Sequence, residues 1–144
     1  MNTPLDKSLH FAARRVAPAL IGLLFLIAGY NKIAGFDYVA GWMTATGLPA
    51  ASALLVLTIA LEIVAGLMLV VGLKTRWAAL ALALFTIPTT LIFHPFWSVD
   101  AAQFADQQTA FLKNLAILGG LLMVAAHAPS ASKSTRRQAA TNAA

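Results

Sequence analysis

The chain contains no cysteine, which excludes disulfides, thiolate metal sites and thiol redox chemistry within it. Charge is almost as scarce. Asp, Glu, Lys and Arg make up 10% of its 144 residues, against roughly 25% in a soluble globular domain. Histidine occurs only as His10, His94 and His127. Two of these fall at one end of the apolar runs described below and one at the other, so neither a bis-histidine haem nor a zinc site is expected. No Gly-rich phosphate loop and no nucleophile–base pair stands out. The net charge of +5 would suit a nucleic-acid binder. The basic residues, however, cluster at the edges of apolar runs, where membrane orientation places them. Nucleic acid is therefore not an expected partner.

What the chain has in abundance is oil. It is 60% hydrophobic, with a mean hydropathy of +0.78. A soluble domain of this size buries only part of its surface and has no room for so much apolar area, which makes the lipid bilayer the expected solvent. Crossing it takes about 20 apolar residues at 1.5 Å each. Four runs qualify: residues 13–33, 51–73, 77–97 and 109–128. Short connections predict antiparallel packing of successive helices. The fold class is all-α, a membrane four-helix antiparallel bundle. Residues 1–12 form an N-terminal segment, 13–128 the transmembrane domain, and 129–144 a Ser-, Ala-, Thr- and Asn-rich tail read as disordered. The first run lacks an evident small-x-small cleavage site, so it is read as a retained helix and not as a signal peptide.

Lysine and arginine set the orientation. Lys7, Arg14, Arg15, Lys74, Arg76, Lys133, Arg136 and Arg137 collect on one side, and only Lys32 and Lys113 on the other. Both termini and the Lys74–Arg76 turn are expected to be cytoplasmic, with 35–50 and 98–108 as outer loops.

Ionisable groups inside a span are costly, by about 2.5–3.5 kcal/mol on insertion scales, and normally face the bundle interior with partners. Glu62 stands 13 residues from Pro49 and 12 from Lys74, about 18–20 Å from either end. Lys32, His94, Lys113 and Asn114 lie near the outer ends of the other three helices. Gly22, Phe25, Gly29 and Lys32 share one helical face. So do Thr58, Glu62 and Ala65 or Gly66; Thr86, Thr90 and His94; and Lys113, Ile117 and Gly120. If these stripes converge, they enclose a polar pocket open to the outside. The plainer readings are snorkelling for Lys32 and Lys113, an interfacial site for His94 and interhelical glue for Asn114. A direct Lys32–Glu62 pair looks too long by depth unless the first helix sits lower. Pro88 frees the carbonyl of Leu84, and Thr86, Thr89 and Thr90 offer hydroxyls to such freed groups.

Several segments carry a resemblance. Gly22-Leu-Leu-Phe-Leu-Ile-Ala-Gly-Tyr-Asn-Lys32-Ile-Ala-Gly-Phe36, followed by Gly47-Leu-Pro49, resembles the opening of the DoxX family. Glu62-Ile-Val-Ala-Gly66, Gly72-Leu-Lys-Thr-Arg76 and Phe93-His94-Pro-Phe-Trp97 resemble its following segments. Phe111-Leu-Lys113-Asn114-Leu-Ala-Ile-Leu-Gly119-Gly120 resembles its fourth-helix motif. The likeness runs over about residues 12–127. It implies a four-helix protein of a prokaryotic plasma membrane (the inner membrane where there are two), associated with quinol or quinone oxidoreduction. Lys32, Glu62, His94, Lys113 and Asn114 fall at family positions and are the candidate ligand-binding or proton-relay residues. No residue is assigned as catalytic. The chain carries no cofactor of its own by this reading, with quinone as the candidate ligand and a redox enzyme or a homo-oligomer as partner. Two other readings remain open: a non-enzymatic scaffold that recruits a partner enzyme, and a small proton-coupled transporter.

Overall fold

A computed structural model describes residues 3–128; the tail expected to be disordered lies outside them. The described chain is helical throughout, with no strand. Its helices are α1 (Pro4–Phe11), α2 (Ala17–Ala34), α3 (Phe36–Ala45), α4 (Ala51–Val71), α5 (Thr75–Phe93) and α6 (Ala101–His127). Among the described residues, four helical segments are long and apolar enough to cross a bilayer: Pro4–Ala34, Ala51–Val71, Thr75–Ser98 and Ala101–His127. The protein is a multi-pass membrane bundle.

The first span begins earlier than hydropathy suggests because the start signal is local. Asp6 N–H donates to Thr3 Oγ1 at 3.2 Å and Thr3 N–H donates to the Asp6 carboxylate at 2.8 Å. This capping box precedes Pro4 at the first helical position. Farther on, Pro18 has no N–H to give the preceding turn. The helix widens there into a π-turn over Ala12–Val16, with Ala17 N–H reaching Ala12 C=O.

The antiparallel α2–α4 pair is the tightest joint in the bundle. A Cβ placed on Gly22 would lie 2.5 Å from the Gly66 carbonyl, and one on Gly66 would lie 2.9 Å from the Gly22 carbonyl. Only glycine at both positions lets the backbones come so close. Around this joint Phe25, Ala65, Leu69, Ala79, Leu82 and Leu121 form the main core. The large side chains turned outward, such as Leu57, Trp77 and Leu84, face the bilayer.

The segment expected as an outer loop at 35–50 contains α3. Ala40 and Met43 of this helix are buried against Ala51 and Leu55 of α4. The fourth helix starts at Ala101, eight residues before the expected start of the span at 109. Its added turns hold Gln103, Asp106, Gln107 and Gln108, so they are helix without being greasy. The third span, Thr75–Ser98, covers the expected 77–97, but its α-helix stops at Phe93 because Pro95 disfavours helical backbone at His94, whose φ is −130°. Within α5 the threonine hydroxyls donate to the carbonyls of Leu82, Phe85 and Thr86. None of these described bonds reaches Leu84, whose carbonyl Pro88 leaves free.

Candidate functional site

The half of the bundle nearest α3 is hollow. A cavity of about 260 Å³ lies among α2, α3, α4, α5 and α6. Its walls are mostly aromatic and aliphatic, with Phe25, Phe85, Phe93 and Trp42 prominent. Its polar lining comes from Lys32, Glu62, His94 and Asn114, with Thr58, Thr86 and Thr89. The spacing arguments thus bring four of the five candidate residues into one chamber.

Lys32 Nζ lies 2.9 Å from both carboxylate oxygens of Glu62. The expectation that depth keeps this pair apart is wrong, for two geometric reasons. First, α2 does sit lower. A Cβ on Gly29 would lie 3.4 Å from Glu62 Cβ, so the two residues are level and Lys32 stands only about 4.5 Å farther along the axis. From that level α4 runs on eleven residues to Ala51, whereas α2 runs five to Ala34. The step of about 9 Å between their ends is filled by α3. Second, helical side chains lean toward their own N-terminus. In an antiparallel pair, Lys32 and Glu62 therefore lean toward each other.

The pair is asymmetric. The Glu62 side chain is 4% exposed and that of Lys32 is 27% exposed. An ammonium has three donors; two go to Glu62, which leaves one on the more open side of the pair. His94 caps the C-terminal end of α5, and its Nδ1 is 2.9 Å from Gln107 Oε1. With the glutamine so oriented, Nδ1–H donates and Nε2 keeps its lone pair for another partner. The sequence reading missed Gln107. The signal for it is its place seven residues before Asn114, on the same face of α6.

Lys113 departs from expectation. It is exposed and does not line the cavity, which takes Asn114 and Ile117 from α6. One residue is about 100° of helical rotation, enough to carry a neighbour to an adjacent face.

Aromatic side chains finish this end. Trp42 packs against Phe93 in a tilted contact at 4.8 Å between centroids, tying α3 to α5. Phe96 meets Trp97, Phe104 and Phe111 edge-on, fastening the α5–α6 connection to the outer part of α6. The amphipathic indoles of Trp42 and Trp97 suit the membrane interface, where the spans end.

A family model described as DoxX matches residues 15–95. The matched stretch holds Lys32, Glu62 and His94; Lys113, Asn114 and Gln107 lie beyond it. No curated protein and no solved structure matches the chain.

Proposed function

We propose, from the premise that this chain belongs to the DoxX family, that it is a membrane subunit associated with an oxidoreductase and binds a quinone-like ligand in the cavity between its helices. The Lys32–Glu62 pair carries this reading. A buried carboxylate with a lysine that retains one free donor sits in a chamber walled by Phe25, Phe85, Phe93 and Trp42. Such a chamber suits a flat, apolar ring with carbonyl acceptors at its edge. Lys32 and Asn114 would donate to a carbonyl. His94, whose orientation Gln107 fixes, offers Nε2 at the opposite wall.

Reduction of a quinone to its quinol consumes two electrons and two protons. Glu62 and His94 are the groups placed to pass protons. The electrons would come from a partner redox enzyme, since the chain has neither thiol nor a histidine set for a redox metal. The lysine and arginine bias supports an orientation with both termini cytoplasmic and with α3 and the cavity toward the outer side; the family resemblance is the support for a prokaryotic plasma membrane.

The test is binding of a quinone analogue to the purified chain in lipid nanodiscs. Wild-type protein should quench with saturable affinity, and Glu62→Gln should weaken it at least about tenfold. No saturable binding above empty nanodiscs would refute the reading.

A further inference from the structure

We infer that the cavity exchanges its ligand sideways with the bilayer, through a window between α2 and α6, and that its ligand is therefore a lipid-dissolved molecule with a ring head and a hydrocarbon tail. This rests on the reading that the cavity holds a ligand. The bundle is a ring in which α2 packs most extensively on α4 and α5 on α6, while the α2–α6 seam is thin.

That seam is closed at one level and open at the next. In the half near α1, Gly120 of α6 meets Ile21 of α2, with 3.1 Å from a built Cβ to Cδ1. The π-turn at Ala12–Val16 also packs on α6. One turn farther along α2, Leu24 lines the cavity and yet is 42% exposed. A side chain that meets both the chamber and the outside marks a rim. On α6 the residues stacked above Gly120, at four and seven positions before it, are Ala116 and Lys113. Both are exposed, although they continue the face that meets α2 lower down.

The top of α6 is tied to α5. The His94–Gln107 hydrogen bond and the rings of Phe96 and Phe111 hold this part of the helix to the α5 side. Meanwhile α3 spans from α4 to Trp42 on Phe93, roofing the other seam. Positions 113–117 lie about 15–21 Å from His127 along α6, in the outer half of a hydrocarbon core about 30 Å thick, so the window opens onto acyl chains and not onto water. Lys113 stands at its edge, which gives this exposed lysine a place beside the ligand's path.

The experiment uses the full chain in nanodiscs and a benzoquinone carrying a ten-carbon tail with a terminal diazirine. After photolysis, labelled residues are read by mass spectrometry, with unlabelled decylubiquinone as competitor. Competed labelling is expected on α2 around Leu24 and Ile27 and on α6 around Lys113 and Ala116. Leu24→Trp should weaken the tailed quinone about tenfold, whereas Leu57→Trp, on the lipid face of α4, should leave it unchanged. Competed labelling confined to α3, or to the lipid faces of α4 and α5, overturns the window but keeps the ligand. Absence of any competed labelling overturns the window together with the function proposed above.

Discussion

The two halves of this bundle are built on opposite principles. Near α1 the helices touch backbone to backbone at Gly22 and Gly66, and Leu69, Leu82 and Leu121 fill what remains. Near α3 the same helices diverge around a chamber that holds an ammonium, a carboxylate, an imidazole and an amide. A bilayer supplies no hydrophobic drive between helices, so close packing and polar contacts must supply it. One half uses the first and the other half the second. The solid half borders the hollow one directly, since the close approach at Gly22–Gly66 continues to Gly29, where an added Cβ would lie 3.4 Å from Glu62 Cβ.

Substitutions can break that division of labour, beginning with the largest effect. Replacing Glu62 by Leu leaves the Lys32 ammonium unpaired in the chamber, and breaking one side of a buried pair costs about 3–5 kcal/mol. Unfolding of Glu62→Leu in a detergent–SDS titration should show this loss. The double variant Lys32→Met/Glu62→Leu should recover most of it, because no orphaned charge remains. A double variant as unstable as the single one would mean that the pair does more than neutralise itself.

Gly22→Ala attacks the solid half. Its methyl would sit 2.5 Å from the Gly66 carbonyl, where only backbone movement can relieve it. The expected loss is about 1–3 kcal/mol, read in the same titration. Quinone-analogue binding should weaken with it, because parting α2 from α4 also parts Lys32 from Glu62.

His94→Ala removes the hydrogen bond to Gln107, worth about 1 kcal/mol, and frees the top of α6. Fluorescence of Trp97 should then report greater mobility. Gln107→Ala should do the same, since both act through one bond. Lys113→Ala gives the smallest effect: the side chain is exposed and outside the lining, so stability should change by less than about 0.5 kcal/mol. If it fell by as much as in Glu62→Leu, the placement of Lys113 outside the chamber would be wrong.

What could be read from the sequence follows the cost of polarity in oil. Lys32, Glu62, His94 and Asn114 stand out because each is an expense inside an apolar run. The stripe Gly22, Phe25, Gly29 and Lys32 follows from helical spacing, and the first three are buried on one face of α2. Features that cost nothing in oil, or that lie outside it, went unseen. Helix α3 has ten residues, too few to cross a membrane, so the search for spans passed over it. The first turns of α6 are polar helix beyond the span, and hydropathy detects solvent preference more directly than backbone conformation. The Lys32–Glu62 bond was missed because depth was measured from the ends of helices assumed level. The step between α2 and α4 that α3 fills is a property of packing, which no single helix encodes.

The ion pair also imposes an order on how the chain is made. Lys32 leaves the ribosome thirty residues ahead of Glu62, about 2–6 seconds at ordinary elongation rates. During that interval the nascent first span carries a lone cation whose cheapest refuge is the headgroup layer. Arrival of the carboxylate on the next span gives the ammonium a reason to leave that refuge and draws the two segments into a hairpin. The pair thus makes a polar contact between the first two spans available before the last two have entered the bilayer.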